Sequence, residues 1–456
     1  MARDVADGEI VESRDALVAW LEAGCKRDAP LRIGTEHEKI LFYQAGHAPV
    51  PYEGERGVAA VIEGMNAKLG WERIEDAGRL IGLFDEKGGA AISLEPGGQF
   101  ELSGAPLETA HETADELASH TAVRRAVAEP LGIAALSLGM SPKWTLAETP
   151  MMPKGRYDIM RRYMPKVGTR GLDMMFRTAT VQTNFDFRDE ADMVMKLRVA
   201  LALQPAVTAL FANSPFTDGR LNGFLSARSE IWRHTDPNRT GMLPFVFEPG
   251  MGFEAYVDYA LDVPMYFVKR GSTYIDVAGG RFRDLLEGRL AAAPGERATV
   301  GDWANHVSTI FPEVRLKRYL EMRGADVGPP ARVVAMTALT AGLFYDRDAL
   351  ASAWELVKDW SAEERQALRD AVPKLGPAAP IRGRSLGDVA ADMVALARGG
   401  LRRRARLNAK GEDETAWLAP LEAIVDSGRP PAQGWIDRFN GPWGGSVEPA
   451  FEEALF

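Results

Sequence analysis

Four stretches of the chain alternate polar and apolar residues with a period of two, the spacing at which side chains of a β-strand share a face. They span residues 31–43, 90–103, 180–187 and 314–323. Each carries acids, amides or cations on one face and oily side chains on the other. We therefore predict an antiparallel sheet with one covered face and one polar face that lines an open concavity.

Helical periodicity separates these stretches. Amphipathic runs predict helices over 13–28, 55–70, 107–130, 189–212 and 222–234, the first with Ser13 as its N-cap. Residues 141–172 are rich in Pro, Gly, Met and Arg without periodicity, so we predict a long ordered loop there.

Glycines and prolines between 324 and 330 mark a predicted boundary. Residues 1–330 are expected to form a catalytic core. Residues 331–456 are Ala- and Leu-rich and are expected to form a helical region packed on that core. The sequence therefore predicts the α+β class.

The composition is that of a folded, soluble protein, with 456 residues, 46% hydrophobic and 26% charged. A formal net charge of −10 weighs against nucleic acid and anionic membranes as partners. Cys25 is the one cysteine, so an intramolecular disulfide is excluded. We find no secretory signal peptide and no apolar run of about 18 residues, so the cytoplasm is the expected location.

Acidic residues crowd the polar faces of the first two stretches. Glu36 and Glu38 share a face, as do Glu95, Gln99 and Glu101 if no bulge intervenes at the glycines. Crowded carboxylates repel one another unless cations lie between them. Oxygen ligands of this kind suit Mg²⁺, so a magnesium site is predicted.

The fourth stretch is rich in cations instead, with Arg315, Lys317 and Arg323 on the face that also carries Glu321. Acids beside arginines indicate chemistry on a metal-bound nucleotide, because the cations neutralise charge on a transferred phosphoryl group. The sequence contains no Walker-type Gly-x-x-x-x-Gly-Lys-Ser/Thr motif, so any nucleotide site uses another architecture.

Several of these segments together resemble those of a known family. They are GTEHE at 34–38, SLEPGGQFELSG at 93–104 and QTNFD at 182–186, with further matches at 228–236, 259–265 and 313–326. The chain is similar here to glutamate–cysteine ligases of the type shared by plants and proteobacteria.

The resemblance implies a glutamine-synthetase-like fold, a curved and mainly antiparallel sheet with a concave active site, plus helices. It also implies the first step of glutathione synthesis. ATP phosphorylates the γ-carboxylate of L-glutamate, and the amine of L-cysteine then attacks the γ-glutamyl phosphate. Mg²⁺ would be the cofactor, and the protein is expected to be a monomer or weak homodimer that binds neither nucleic acid nor membrane.

The resemblance and the strand faces together give a set of candidate site residues. The predicted metal ligands are Glu36, Glu38, Glu95, Glu101 and Glu321, with Gln99 and Asn184 as outer partners. The predicted ATP-phosphate and catalytic residues are Arg315, Lys317 and Arg323, and the predicted glutamate-pocket residues are Arg170, Met175, Trp232 and Arg233.

Other functions are compatible with the same residues. A carboxylate–amine ligase that joins glutamate to a different amine would carry the same acidic strands. A Mg²⁺-dependent hydrolase would use the acids to activate water, although it has less need for the cations of 315–323. A metal-binding module without activity is a weaker alternative, because burying so many acids is costly.

Overall fold

A nine-stranded antiparallel sheet organises the protein in the computed structural model, which describes residues 4, 5 and 7–456. The strands in chain order are β1 Ile33–Tyr43, β2 Glu72–Asp76, β3 Arg79–Phe84, β4 Ala91–Leu94, β5 Gln99–Ser103, β6 Ile133–Leu136, β7 Thr180–Phe185, β8 Phe216–Thr217, β9 Arg220–Leu221, β10 Thr240–Gly241, β11 Phe267–Arg270, β12 Thr273–Asp276, β13 Phe311–Pro312, β14 Val314–Leu316, β15 Leu320–Asp326, β16 Pro380–Ile381 and β17 Arg384–Ser385. The large sheet has the order β14-β15-β7-β1-β5-β4-β3-β2, and β6 also pairs with β1. The remaining strands form four two-stranded ladders.

Helices pack around this sheet. They are α1 Arg14–Glu22, α2 Val58–Leu69, α3 Ala110–Ala128, α4 Gly155–Val167, α5 Gly171–Arg177, α6 Glu190–Phe211, α7 Ala227–Arg233, α8 Phe253–Asp262, α9 Phe282–Leu286, α10 Val300–Ser308, α11 Pro330–Phe344, α12 Arg347–Val357, α13 Ala362–Leu375, α14 Leu386–Arg404, α15 Ala419–Ser427, α16 Pro431–Asn440 and α17 Ala450–Glu453. The predicted α+β class is confirmed.

Alternation along the strands separates a helix-facing side from a polar side, as the sequence predicts. Thr35 on β1 lies 2.7 Å, hydroxyl to hydroxyl, from Thr337 on α11. Its neighbour Glu36 points the other way and accepts a hydrogen bond from the Asn184 amide at 2.6 Å. Helices cover the polar side as well: Glu36 is only 6% exposed and Glu101 only 2%. The polar side is therefore a concavity that helices partly cover, rather than a fully open one.

Two of the predicted strands are hairpins. The stretch 90–103 divides into β4 and β5 around a turn at 95–98, where the Gly98 amide donates to the Glu95 carbonyl and Gly98 has φ +82°. The stretch 314–323 divides into β14 and β15, and the Lys317 amide donates to the Tyr319 carbonyl across the turn. Arg315 pairs with Glu321 in this register, so their side chains still meet.

The predicted loop over 141–172 is wrong for its second half, which contains α4. This helix buries Tyr157, Met160 and Met164, a helical spacing hidden among polar residues. Pro165 lies in the last turn of the helix, where a missing amide breaks little of the hydrogen-bond ladder.

The five helices predicted from the sequence are all present, but their ends differ from the predicted ones. Ser13 caps α1 by accepting from the Ala16 amide, although α1 ends at Glu22. The predicted helix at 222–234 begins only at Ala227, because Ser226 supplies its cap. Among the described residues, α6 is the one helix long and apolar enough to span a membrane, and 83% of its apolar window is buried inside the fold.

The apolar core runs from Val11 to Phe456 and crosses residue 330. Helix α11, at the start of the predicted second region, packs on β1 and β7 and also on α3 and α14. The division at residue 330 stays a prediction.

Glu116 on α3 gives a prediction about stability. Burial raises the pKa of its carboxyl to about 7, although the Ala105 amide that donates to it opposes the shift. The folded state therefore disfavours ionisation of Glu116. The contribution of this carboxyl to the free energy of unfolding is present below about pH 4.5 and is lost as the pH rises through about 7. We expect Glu116→Gln to remove this loss, which amounts to up to about 3 kcal/mol.

Urea denaturation at pH 4.5 and pH 8 checks this expectation. The exposed Asp115 on the same helix provides the control Asp115→Asn. Equal pH dependence in the wild type and in Glu116→Gln would contradict the assignment.

Candidate active site

The polar face of the sheet lines three cavities that share residues. The large cavity has a volume of about 400 Å³ and is bordered by Glu36, Asn184 and Tyr319. The acid cavity, of about 90 Å³, is bordered by Glu36 and by Glu38, Glu95 and Glu101. The tryptophan cavity, of about 80 Å³, contains Trp232 and shares Glu38 and Glu95 with the acid cavity. The three therefore adjoin one another on one side of the sheet.

Glu38, Glu95 and Glu101 form a carboxylate trio. Glu38 and Glu101 are directly opposite each other in the β1–β5 register, a pairing of like charges that is unfavourable without a cation. Burial, followed by the charges of Glu101 and Glu95, raises the pKa of Glu38 well above its usual value. The Thr180 amide, 2.8 Å from a Glu38 oxygen, opposes that shift.

A separate cluster surrounds Glu321, which is fully buried. Arg315 and Lys317 each approach its carboxylate to 2.7 Å, and Arg323 also pairs with it. Burial alone would raise the pKa of Glu321, but these three cations hold it well below its usual range. The structure argues against Glu321 as a metal ligand, because its oxygens already accept from cations. It pairs instead with Arg315 and Arg323, which border the acid cavity.

The ring of Trp232 lies close to two buried arginines. The guanidinium carbons of Arg228 and Arg323 are 5.7 and 5.6 Å from the centre of its ring. Met175, predicted for the glutamate pocket, lines the same tryptophan cavity, as does Gln99. The Gln99 amide donates to the carbonyls of Met175 and Thr178, so it ties the β4–β5 hairpin to α5.

Two predicted pocket residues lie elsewhere. Arg233 pairs with Glu230 and Asp370, and Arg170 pairs with Asp173 at 2.7 Å; neither borders the cavities. The reason for Arg233 is helical geometry: positions 228 and 232 share a face of α7, whereas 233 is rotated about 100° from 232. That spacing would have identified Arg228 from the sequence.

Sequence reasoning missed Arg156 and Arg228, which line the acid and tryptophan cavities respectively. Arg156 lies in the first turn of α4, inside the segment that was predicted to be a loop. Within the described part of the chain, the Nε atoms of Arg156, Arg228 and Arg315 and the Nε1 of Trp232 are buried donors without a hydrogen-bond partner. Buried donors are normally satisfied, so these four nitrogens can donate to acceptor oxygens of a bound ligand.

The glycine pair after Glu95 holds the hairpin against α5. A Cβ on Gly97 would lie 2.1 Å from the Phe176 carbonyl oxygen, so this glycine permits close backbone packing. We expect Gly97→Ala to lower the free energy of unfolding by about 1–3 kcal/mol and to lower activity, because the hairpin that carries Glu95 must move.

Thermal unfolding and steady-state rates measure both effects of Gly97→Ala. Gly434→Ala is the control, since that helical glycine has only the Arg438 guanidinium at 3.5 Å. A Gly97→Ala protein with wild-type stability would show that the hairpin is not constrained there.

Comparison with known proteins places the chain in a family. The model of glutamate–cysteine ligase family 2 matches residues 32–453. The chloroplastic glutamate–cysteine ligases of Nicotiana tabacum and Arabidopsis thaliana are each 53% identical over 97% of this chain and 83% of theirs. A crystal structure of glutamate–cysteine ligase from Francisella tularensis with AMP is 13% identical, covers 90% of this chain and 85% of its own, and has a TM-score of 0.53.

The names of these relatives correct one expectation. They are named as chloroplastic enzymes, which contradicts the predicted cytoplasmic location. The sequence argument rested on missing secretory and membrane signals, which do not distinguish these two compartments. The recognition of the ligase from its motifs is confirmed, and the chain belongs to glutamate–cysteine ligase family 2.

Proposed function

We propose that this protein joins the γ-carboxylate of L-glutamate to the amine of L-cysteine, using ATP, through a γ-glutamyl phosphate. The observation that carries the proposal is the partly covered site in which a carboxylate trio faces buried arginines with unpaired Nε donors. An unactivated carboxylate is a poor acyl donor, so a phosphoryl group must be attached first. That step brings the glutamate carboxylate and the phosphates of ATP together, and both are anions. Cations must therefore neutralise part of the charge on each of them.

The carboxylate trio fits Mg²⁺ in charge and in ligand type. Glu38 and Glu101 face each other, and a divalent cation bound between them would relieve their repulsion. No three acidic, histidine or cysteine side chains of the described residues are placed to hold a metal by themselves. Mg²⁺ usually takes one or two carboxylates and completes its shell with water and substrate phosphate, so this arrangement suits it.

The large cavity is assigned to the nucleoside of ATP. Its volume of about 400 Å³ is in the range of small-molecule sites, and Phe84, Ala91 and Tyr319 give it apolar walls. Glu36 borders both this cavity and the acid cavity, so a nucleotide in the former can extend its phosphates toward the latter. Arg315 and Arg323, fixed by Glu321, then neutralise charge on the transferred phosphoryl group.

The tryptophan cavity is assigned to glutamate. Arg228 is 2% exposed, and its Nε has no partner among the described residues, so it can donate to a substrate carboxylate. Trp232 and Met175 provide apolar surface for the methylene chain. Glu38 and Glu95 border this cavity and the acid cavity, which brings the γ-carboxylate close to the phosphates.

A coupled assay tests the proposed reaction. Purified protein is incubated with ATP, MgCl₂ and L-glutamate, with and without L-cysteine, and ADP release is followed. We expect release that depends on cysteine and on glutamate. ADP released only with another amine would identify a related ligase, and hydrolysis of substrates without ATP would identify a hydrolase; either outcome would contradict the proposal. A monomer or weak homodimer stays the prediction for assembly.

A further inference from the structure

Asp326, the last residue of β15, is a buried acid that lies outside the linings of the three cavities. Its carboxylate accepts hydrogen bonds from the Asn213 amide at 2.8 Å, from the Ser214 hydroxyl at 2.6 Å and from the Ser226 hydroxyl at 2.8 Å. Asn213 and Ser214 precede the β8–β9 ladder, and Ser226 follows it. One carboxylate therefore joins both ends of this connection to the large sheet.

The two serine hydroxyls continue from Asp326 to the start of α7. The Ser214 hydroxyl oxygen accepts from the Arg228 amide, and that of Ser226 accepts from the Ser229 amide, each at 3.1 Å. A hydroxyl has one hydrogen, which each serine donates to the carboxylate, so its lone pairs are left for the amides. Amides in the first turn of a helix have no partner within the helix. Asp326 therefore fixes, through two hydroxyls, the position at which α7 begins.

Arg228 is the residue that this arrangement places at the tryptophan cavity. Its amide is held by Ser214, and its guanidinium donates to the Arg323 carbonyl of β15 at 2.9 Å. Burial lowers the pKa of Arg228, and the charge of Asp326 is the largest of the effects that oppose this shift. The Asp326 oxygens accept from hydroxyls and an amide rather than from the guanidinium, so Asp326 favours the charged form of Arg228 without occupying its Nε.

We propose that Asp326 is a positioning residue for the glutamate substrate, because through Ser214 and Ser226 it holds α7 so that Arg228 meets a substrate carboxylate in the tryptophan cavity. The proposal rests on the proposed function, which assigns that cavity to glutamate. The large cavity, assigned to the nucleoside of ATP, is bordered by elements other than α7. Loss of the Asp326 charge should therefore weaken the binding of glutamate and spare that of ATP.

Calorimetric titrations of the full chain with L-glutamate and with ATP plus MgCl₂ test this role. Asp326→Asn keeps the shape of the side chain but replaces one acceptor oxygen by an NH₂ group, which cannot accept from the donors around it. We expect the dissociation constant for L-glutamate to rise about tenfold and that for ATP to change by less than about twofold. Ser214→Ala removes the link to the Arg228 amide and is expected to act in the same direction, so it decides the test if Asp326→Asn does not fold.

Asp370→Asn is the matched control, because Asp370 is an exposed acid that pairs with Arg233 of the same helix, away from the cavities. Its affinities should equal those of the wild type. Thermal unfolding separates positioning from a purely structural role. An acid that only stabilises the fold would lower the melting temperature of Asp326→Asn and leave its affinity for L-glutamate unchanged.

Unchanged affinity for L-glutamate in either folded variant would overturn the proposal, as would an equal loss of affinity for L-glutamate and ATP. These outcomes differ from a failure of the proposed function, which the wild type alone reports. A wild type that binds ATP but not L-glutamate would contradict the assignment of the tryptophan cavity, and the role of Asp326 with it.

Discussion

Replacing Glu95 by glutamine is expected to lower kcat/KM by about 10²–10³-fold with little change in stability. Glu95 reaches the acid and tryptophan cavities from the turn of the β4–β5 hairpin and is partly exposed, so its carboxylate supports little packing. A neutral amide binds Mg²⁺ poorly and leaves the repulsion between substrate anions unscreened. Steady-state kinetics at several MgCl₂ concentrations measure the loss, which should include a higher MgCl₂ requirement.

The matched control is Glu86→Gln, which removes an exposed acid from the β3–β4 connection of the same sheet. Circular dichroism and thermal unfolding establish that both variants fold. A Glu95→Gln enzyme with wild-type activity and an unchanged MgCl₂ requirement would remove Glu95 from the site.

Whereas Glu95→Gln is expected to lower activity, Glu321→Gln is expected to lower stability. The expected loss in the free energy of unfolding is about 3–5 kcal/mol. The substitution leaves Arg315, Lys317 and Arg323 buried around a neutral amide. Glu321 is the group that compensates them, and isolated buried cations are strongly unfavourable. Urea denaturation at pH 7 gives the value. Glu63→Gln is the control, because the Glu63–Arg73 pair is half exposed and such pairs contribute about 0–1 kcal/mol.

The pH dependence of the Glu321 effect has a definite sign. The pKa of Glu321 is depressed in the folded protein, so its contribution is present above the unfolded-state pKa of about 4.5. It is lost as the pH falls through the lower folded-state value. The difference between wild type and Glu321→Gln should therefore shrink in acid. Unchanged stability together with a higher MgCl₂ requirement would restore Glu321 as a metal ligand.

The faces of the strands were predictable because alternation is a local property. Glu36 and Asn184 are on the polar side, and Thr35 and Thr183 face α11, as period two requires. The closing of the site was not predictable in this way. It depends on α4 and α7, which cover the polar side, and a charged strand face looks the same in a sequence whether water or a helix covers it.

The sequence also did not predict which charged side chains contact one another or border a cavity. The stretch 314–323 shows one acid among several cations, but only the β14–β15 turn determines that Glu321 faces Arg315 and Lys317. Arg228 and Arg233 belong to the same motif, and the start of α7 decides which of them borders a cavity. Arg156 was missed because α4 was not recognised.

The central claim is that the carboxylate trio and the buried arginines organise a divalent metal and the phosphates of ATP in one site on the polar side of the sheet. Crystals grown with Mn²⁺ and a non-hydrolysable ATP analogue test it through the anomalous signal of manganese. The account predicts a manganese peak within about 2.5 Å of a carboxylate oxygen of Glu38, Glu95 or Glu101, bridged to the analogue's phosphates. Manganese and phosphates located away from these side chains would contradict it.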